Sequence, residues 1–440
     1  MILLTGFNNN SFLLSSNYKI DSNNTIFSLN DPYTFQWNVT LNGNASSTDE
    51  GYGIAMDSQG YIYVSGIVYQ TTNWNDIILI KYDQSGNVYW NRTISSNGIH
   101  KDCGYDLDID NNDNIYVVGY LYDPINSDDF ILLKYNTNGT LLWNKTWGGG
   151  GLDRIFGVDF CNNHLYVVGK TSSWGTGQND LVVEKLDLSG NRIWNYTWGG
   201  SYDDSGNGIY VKGNDIYVTG STSDSTQDDV VIIRLYDLGS ICSQMWVKIW
   251  GGSHEDQGYD IAVDTNNSVY ITGLTESIGL GEDNAFLLKY DHGGNNIWNR
   301  TWGDSLSDFA HGISIDQNNN IFITGKTESN ALDNYWDIFI VQYDINGNQP
   351  WYTVWHGGMY HYGYDVLTHN NDIYLTGEVQ YIGGVDRNIL LLKYSKTADT
   401  TTTPIPGFDF PIAILSMALI FGIYMIYVIF SKRNNFSKLN

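Results

Sequence analysis

The sequence predicts an all-β protein: a seven-bladed β-propeller of four-stranded blades, followed by one C-terminal transmembrane helix. Three observations carry the prediction. A hydrophobic run ending in glycine recurs seven times, a tryptophan-led segment also recurs seven times, and one long apolar stretch lies near the C-terminus. A period of about fifty residues is typical of propellers and solenoids.

The glycine-ended run sets the period. It reads IYVSG in the first copy and IYLTG in the last, and its glycines are Gly66, Gly119, Gly169, Gly220, Gly273, Gly325 and Gly377. Their spacings are 53, 50, 51, 53, 52 and 52 residues. Each repeat is therefore one structural unit of nearly constant length.

The tryptophan-led segment indicates that the repeats form a closed ring. Its tryptophans are Trp37, Trp90, Trp143, Trp194, Trp246, Trp298 and Trp351. The first precedes the first complete repeat, and the last repeat ends at LLLKY (390–394) without one. We expect the N-terminal strand to complete the last blade, because this removes both free sheet edges.

Each repeat is interpreted as four strands, called a, b, c and d from its start. Strand a is a short segment such as GYGIAMD (51–57), strand b the glycine-ended run, strand c an apolar run such as DIILIKY (76–82), and strand d the tryptophan segment. Strand c is apolar without alternation, as expected of a sheet packed on both faces. Turns such as DQSGN (83–87) join c to d.

The repeat motifs resemble a known family. D-x-x-x-x-I-Y-V-T-G, L-L-K-Y-D-x-x-G-N and W-N-x-T-W-G-G recur over residues 35–395 and are similar to SBBP repeats of seven-bladed propellers. The resemblance implies a fold rather than a chemistry.

The two ends predict export and anchoring. Residues 1–33 do not supply a good export signal, because MILLTGF is short and lacks a basic region. The favoured interpretation is the remnant of a signal whose true start lies upstream, and the alternative is export by a route that the sequence does not reveal. Residues 396–410 form a Thr/Pro stalk, 411–430 a transmembrane helix and 431–440 a cytoplasmic tail. Lys432 and Arg433 after the helix predict an extracellular propeller.

A tripeptide ahead of the helix offers an alternative to a retained anchor. Pro406, Gly407 and Phe408 resemble the archaeal PGF-CTERM sorting signal, which implies that the helix is removed and replaced by a lipid. An ordinary stop-transfer anchor is the equal alternative.

Charge and cysteine content narrow the class of partner. The net charge is −26 and the pI about 4.3, which argues against a nucleic-acid partner because phosphate contacts need Lys and Arg. Cys103, Cys161 and Cys242 fall at non-equivalent repeat positions and predict neither a metal site nor a disulfide framework.

Asparagine sequons recur on the predicted outer strand. In the W-N-x-T motif they place possible glycans at Asn38, Asn91, Asn144, Asn195 and Asn299. The alternative is that Asn and Thr simply pair across strands.

Recurrent aspartates precede strand a, and a second set, Asp76 and its equivalents, opens strand c. The first set is Asp49, Asp102, Asp153, Asp204, Asp256 and Asp308, with His361 as the exception. Recurrence favours loop-locking hydrogen bonds, although a carboxylate ring at the channel mouth would attract Ca²⁺. The a–b turns, such as 110–114, lack the glycine and glutamate of an EF-hand and are interpreted as structural.

The non-repeating loops are the predicted ligand-binding face. Candidate binding residues there are Trp74, Tyr122, Trp174, Trp336, His356, Tyr360, His361 and Tyr362. Aromatic rings beside carboxylates and amides suit glycans or a protein partner; local loop packing is the alternative.

These observations favour a cell-surface propeller that binds protein or glycan partners without catalysis. No catalytic motif or cofactor site other than the Ca²⁺ ring is identified. The rivals are an extracytoplasmic lyase, hydrolase or quinone-dependent dehydrogenase with its site at the channel mouth, and a surface-layer component.

Overall fold

A computed structural model describes residues 18–20, 26–28, 31–43, 48–69, 74–96, 101–123, 127–329, 335–381, 384 and 386–397. Within them lie a two-stranded sheet and seven four-stranded sheets, all antiparallel. The predicted stalk, helix and tail beyond residue 397 lie outside the described residues. Of the predicted export remnant the structure describes only residues 18–20, 26–28 and 31–33, and Tyr33 already belongs to a propeller strand. Nowhere in the described ranges is there a helix with the length and apolarity needed to cross a bilayer.

The strands follow in chain order. The first three are β1 Tyr18–Ile20, β2 Ile26–Ser28 and β3 Tyr33–Leu41. Blades 1 to 3 contain β4 Glu50–Met56, β5 Ile62–Tyr69, β6 Asn75–Tyr82, β7 Val88–Ile94, β8 Cys103–Ile109, β9 Ile115–Asp123, β10 Ser127–Tyr135, β11 Leu141–Trp147, β12 Asp153–Cys161, β13 His164–Thr171, β14 Asp180–Asp187 and β15 Arg192–Trp198. Blades 4 to 7 contain β16 Asp204–Lys212, β17 Asp215–Ser223, β18 Asp228–Asp237, β19 Cys242–Trp250, β20 Asp256–Val263, β21 Val269–Thr275, β22 Asn284–Tyr290, β23 Asn296–Trp302, β24 Asp308–Ile315, β25 Ile321–Thr327, β26 Asp337–Tyr343, β27 Trp351–Trp355, β28 Tyr360–His369, β29 Asp372–Gln380 and β30 Arg387–Lys396.

Ring closure by the N-terminal strand is confirmed. Strand β3 pairs with β30 in antiparallel register, with Asn38 opposite Leu392, and so becomes strand d of blade 7. Tyr33 extends the closure to blade 6, because its ring lies 5.0 Å from Trp351 and 5.5 Å from Phe322. The seven blades and their four-strand order match the prediction.

The hydrophobic core lies between neighbouring blades. Strands b and c are buried on both faces, as in β5 and β6, because each blade is covered by two others. The tyrosine of IYVSG, Tyr63, is fully buried, and its hydroxyl donates to Asp57 at 2.9 Å. Trp90 of strand d packs on the same ring at 5.9 Å. The two repeat markers are therefore contacting parts of one blade.

The a–b turns are held by their own aspartates. Asp110 Oδ1 accepts hydrogen bonds from the amides of Asn112 at 2.8 Å and Asn114 at 2.9 Å, and Asp113 takes a positive φ of 59°. Asp264 and Asp316 make the equivalent bonds. The structural interpretation of these turns is confirmed.

Strand a of each blade contacts strand a of the next blade, so the seven strands a surround the central channel. The b–c and d–a loops meet at one end of this channel. The three cysteines are free thiols.

Candidate functional site

One residue from each strand a lines a single cavity at this end of the channel. We call them the collar residues: Tyr52, Tyr105, Phe156, Asn207, Tyr259, His311 and Tyr364. Each follows the first glycine, alanine or isoleucine of strand a and is half-buried. A β-bulge falls at this point in every strand a, for example between Gly51 and Gly53, and keeps the collar side chain on the channel side.

The aromatic collar residues form a continuous chain of ring contacts. The centroid distances are 4.9 Å for Phe156–Tyr105, 5.4 Å for Tyr105–Tyr52, 4.9 Å for Tyr52–Tyr364, 5.5 Å for Tyr364–His311 and 5.0 Å for His311–Tyr259. The chain spans six blades and is interrupted at blade 4 by Asn207, whose amide donates to the Gly258 carbonyl at 2.8 Å. Burial, and then the charge of Lys326, lowers the pKa of His311 to about 3, so this ring is neutral at physiological pH.

Polar groups of blades 3 to 5 face the collar across the same cavity. The cavity has a volume of about 510 Å³, within the usual range for small-ligand sites. Its polar wall includes Lys170, Asp203, Ser221, Asp228 and Gln257. The site therefore combines aromatic faces on one side with hydrogen-bonding groups on the other.

Lys170 is the only lysine or arginine among the described residues that line this cavity. Among the residues that the structure describes, none accepts a hydrogen bond from its ammonium, and its nearest aromatic contact is Phe156, with Nζ 5.8 Å from the ring centre. Burial, and then the nearby Arg154, lowers the pKa of Lys170. Its ammonium is thus a donor directed to a partly desolvated space.

Three carboxylates lie one residue beyond the collar. Asp106, Asp260 and Asp365 each accept an amide hydrogen bond from the next blade, from Val158, Ile313 and Ile54 respectively. Burial is the main cause that raises the pKa of Asp106 to about 8; neighbouring Asp260 and Asp108 add to it, and hydrogen bonds from the amides of Val158 and Leu107 oppose it. Each of these carboxylates links two neighbouring blades. Because the carboxylates lie close together, ionisation of one disfavours ionisation of the others.

Four predicted binding residues do converge, on blades 6 and 7. Trp336 and Tyr362 lie 6.2 Å apart, and the Lys326 ammonium stands 4.5 Å from each ring. Tyr360 contacts Tyr335 at 5.2 Å. The main chain of Trp336 accepts a 2.9 Å hydrogen bond from the amide of His361. This aromatic patch adjoins the collar, because Tyr362 also contacts Tyr364 at 6.3 Å.

The two predicted histidines converge on Asp337 rather than on the cavity. His356 Nδ1 lies 2.5 Å from one carboxylate oxygen and His361 Nδ1 3.3 Å from the other. His361 is fully buried, and its Nε2 has no partner among the described residues. The structure thus gives His361 a packing environment, with Trp355 edge-on at 5.1 Å.

The remaining predicted binding residues do not join this patch. Trp74, Tyr122 and Trp174 belong to blades 1, 2 and 3. Trp174 packs 6.2 Å from Phe130, with the Arg192 guanidinium 5.8 Å from its ring. The amide of Tyr122 is held by Asp102 at 3.0 Å. These three are therefore spread around the ring.

The recurrent aspartates before strand a are buried and hydrogen-bonded. Asp49, Asp102, Asp153, Asp204, Asp256 and Asp308 are at most 1% exposed. Asp153, for example, accepts from the Gly149 amide at 2.8 Å and from the Thr171 and Ser173 hydroxyls at 2.5 and 2.7 Å. This joins the d–a loop to the b–c loop, as the loop-locking interpretation predicts. Within the described ranges no group of three or more His, Cys, Asp or Glu is arranged to hold a metal ion, and the Ca²⁺ ring stays a prediction.

The outer strands carry the predicted sequons. Asn91, Asn144, Asn195 and Asn299 are exposed, whereas Asn38 is half-buried. Each strand lies last in its sheet and so has one unpaired edge.

Sequence reasoning missed the collar. Its signal was present: the residue after the opening of strand a is aromatic or histidine in six repeats, as in GYGIA, GYDLD and AHGIS. The sequence analysis does not single out these residues, because a residue that recurs in nearly every repeat is usually structural.

Comparisons with known proteins agree with the propeller. Residues 246–279 and 301–333 match the SBBP family, described as a β-propeller repeat. A crystal structure of a protein of unknown function from Dyadobacter fermentans DSM 18053 is similar in fold, with a TM-score of 0.51 and 10% identity, covering 83% of this chain and all of that one. The WD40 β-propeller domain of Doa1 gives a TM-score of 0.49 at 13% identity over 83% of this chain and 97% of that one.

A curated relative matches only in part. An uncharacterised WD repeat-containing protein of Acanthamoeba polyphaga mimivirus is 23% identical over 37% of this chain. The match spans 15% of that relative's length.

Proposed function

We propose that this propeller of SBBP repeats is a non-catalytic binding module of the cell surface, and that it recognises a saccharide at the channel mouth. One observation carries the proposal: an almost closed aromatic collar faces a polar wall within one cavity of about 510 Å³. Cell-surface anchoring rests on the apolar stretch and basic tail of the sequence.

A saccharide suits this division of the cavity. The CH-rich face of a sugar ring packs on aromatic rings, while its hydroxyls both donate and accept hydrogen bonds. The polar wall supplies both kinds of partner: Lys170 and Ser221 donate, and Asp203, Asp228 and Gln257 accept. The opposed charges of Lys170 and Asp203 favour a ligand rich in hydroxyls over one with a single strong charge.

A protein partner is the second candidate. It is favoured by the aromatic patch of Trp336, Tyr360 and Tyr362, which lies beside the collar and includes the Arg387 guanidinium 5.3 Å from the Tyr362 ring. Aromatic residues and arginine are enriched at protein interfaces.

A glycan array probed with the full chain in detergent tests the proposal. Binding to a defined set of saccharides is expected, with the dissociation constant then measured by calorimetry. Tyr105→Ala and Tyr259→Ala should each weaken binding at least about tenfold, which corresponds to roughly 1.4 kcal/mol.

A matched control is Tyr89→Ala. Tyr89 is 65% exposed on the outer strand β7, away from the cavity, and its loss should leave the affinity unchanged. Absence of saccharide binding, or equal losses from Tyr89→Ala and the collar variants, would refute the saccharide site. Retention of a cell-surface protein that Trp336→Ala abolishes would favour the second candidate.

A further inference from the structure

The outer strands of four blades carry the same asparagine- and threonine-containing motif at equivalent positions. Strands β7, β11, β15 and β23 carry W-N-x-T, with its asparagine at Asn91, Asn144, Asn195 and Asn299. Residues two apart in a strand share a face, so each asparagine lies on the same face as the threonine of its sequon. The motif is thus displayed as one continuous surface feature.

The alternate face of these strands is fixed by packing. In blade 1, Trp90 donates from Nε1 to the Thr137 carbonyl of blade 2 at 3.2 Å, and Arg92 Nε donates to Gly139 O at 2.7 Å. In blade 5, Arg300 Nε makes the equivalent bond to Gly347 O of blade 6 at 2.8 Å. In β11 and β15 the equivalent positions are Lys145 and Tyr196, which donate to Asn191 and Gln244 of the next blade. Because this face of each strand is held against the neighbouring blade, the Asn/Thr face must point away from that blade.

The four asparagine side chains are available for reaction. All four are exposed, and in the described residues none of their side-chain amides makes a hydrogen bond. Asn38 of β3 carries the same motif but is half-buried, which separates it from the other four. These four asparagine side chains are therefore not engaged in hydrogen bonds to threonines of a neighbouring strand.

An exposed apolar residue lies two positions before each of the four asparagines. These residues are Tyr89, Leu142, Ile193 and Ile297, with exposed fractions of 65, 48, 36 and 53%. Each shares the face of its asparagine. A sugar attached to the asparagine would cover this apolar side chain and stand beside the unpaired edge of the strand.

We infer that Asn91, Asn144, Asn195 and Asn299 are N-glycosylation sites and that their glycans shield the outer edges of the propeller. The donor is a lipid-linked oligosaccharide phosphate. The Asn amide nitrogen forms a bond to C1 of the first sugar, the C1–O bond to phosphate breaks, the lipid phosphate leaves, and the amide loses one proton. The inference shares the extracellular location with the proposed function but does not depend on the channel-mouth site.

Blade 4 provides a natural comparison. Its outer strand β19 has Val247 and Ile249 at the positions of Asn and Thr, and Met245 and Ile249 are 49 and 58% exposed. Exposed strand edges favour unwanted strand pairing, and natural proteins protect them. Where the sequon is missing, the edge stays apolar and unshielded.

The experiment expresses the full chain behind a cleavable leader in a secretory host with an N-oligosaccharyltransferase, and maps glycopeptides by mass spectrometry. Glycan is expected at all four asparagines. Thr93→Ser should keep the modification of Asn91, and Thr93→Val should remove it. Unmodified asparagines at all four positions, whether or not other sequons are used, would overturn the assignment.

The shielding role has its own readout. With Asn91, Asn144, Asn195 and Asn299 all changed to Gln, secreted protein should self-associate with increasing concentration in light scattering, whereas the glycosylated chain stays monomeric. A single Asn266→Gln change serves as the control, because Asn266 lies in an a–b turn and not on a strand edge. A fourfold variant that remains monomeric would refute the shielding role.

Discussion

His361 Nδ1 lies 3.3 Å from Asp337 Oδ1. His361 occupies the position before strand a at which the other six blades carry an aspartate. In four of those blades the aspartate is paired with an aspartate that opens strand c of the preceding blade: Asp76 with Asp102, Asp129 with Asp153, Asp180 with Asp204, and Asp229 with Asp256. Burial, and then like charge, raises the pKa of Asp76 and Asp229. Blade 7 instead places the imidazole of His361 beside the carboxylate of Asp337.

His361→Asp would restore the repeat pattern and yet destabilise the protein. Burial raises the pKa of Asp337, but its bonds to His356 and His361 outweigh burial and bring that pKa below its usual value. Wild-type Asp337 therefore contributes stability that is present above about pH 4 and is lost on acidification. We expect a loss of about 1–3 kcal/mol at pH 7 in urea denaturation, because a second buried carboxylate faces the first.

The matched variant His361→Asn removes the imidazole without adding charge and should cost less. At pH 5 the difference in free energy of unfolding between the two variants should be smaller than at pH 7. One of the two facing carboxyls in His361→Asp can take a proton at the lower pH, which removes the repulsion between them. An equal cost for both variants at pH 7 would contradict the charge argument.

The carboxylates of the channel predict that stability falls as the pH rises. Asp106 has a pKa of about 8 in the folded protein, caused chiefly by burial, against roughly 3.9 when unfolded. When a carboxyl group has a higher pKa in the folded protein than in the unfolded chain, its contribution to stability is complete at pH values below the unfolded-state pKa. That contribution is lost as the pH rises from the unfolded-state pKa through the folded-state pKa. The melting temperature should therefore decrease between pH 5 and pH 8.

The variant Asp106→Asn tests whether Asp106 causes the decrease in melting temperature between pH 5 and pH 8. Asn keeps the side chain's shape and one acceptor but has no proton to lose, so the decrease between pH 5 and pH 8 should become shallower. Asp83→Asn is the control, because Asp83 lies in a c–d turn where hydrogen bonds, above all from Asn87, lower its pKa. A pH profile of Asp106→Asn parallel to that of the wild type would contradict the prediction.

The first glycine of the W-G-G motif is required because two aspartate side chains leave no room for a Cβ atom there. A Cβ on Gly199 would stand 2.5 Å from Asp180 Oδ1 and 2.6 Å from Asp204 Oδ2, closer than packing allows. A Cβ on the neighbouring Gly200 would meet nothing within 4 Å. We expect Gly199→Ala to cost about 1–3 kcal/mol and Gly200→Ala less than about 0.5 kcal/mol in urea denaturation. Similar losses for both would disprove the steric explanation.

The sequence predicted those parts of the molecule that depend on repetition. Blade number, strand order and closure follow from markers such as Gly66 and Trp37, since a ring fixes which strand pairs with which. The collar escaped prediction because Tyr52 and Tyr364 come from opposite ends of the chain and contact each other at 4.9 Å only after closure. Likewise, nothing in the local sequence indicates that His361 turns to Asp337 of the preceding blade.

The Ca²⁺ hypothesis for the six recurrent aspartates predicts that calcium raises the melting temperature. We expect no change, because at least one oxygen of each carboxylate is already engaged: Asp256 Oδ2 accepts from the Gly252 amide at 2.8 Å and from the Ser277 hydroxyl at 2.7 Å. The other oxygen of Asp256 is buried without a partner, but the described residues contain no group of three or more His, Cys, Asp or Glu arranged to hold a metal ion. Melting is measured with excess chelator and with millimolar Ca²⁺, and Mg²⁺ controls for ionic strength. A rise specific to Ca²⁺ and lost in Asp256→Asn would instead establish the metal site.

Removal of the closing strand should destabilise the whole ring. A chain that begins at residue 43 lacks β3, which leaves β30 with an unpaired edge and uncovers Trp351, the partner of Tyr33. The deletion removes the buried Tyr33 and the partly buried Phe35, Trp37, Val39 and Leu41, so we expect stability to fall by about 5 kcal/mol or more. A chain that begins at residue 31 keeps β3 and is the matched control. Thermal melting compares the two, and a synthetic peptide of residues 31–43 added in trans should restore part of the loss. Identical melting of both truncated chains would show that pairing of β3 with β30 does not hold the ring closed.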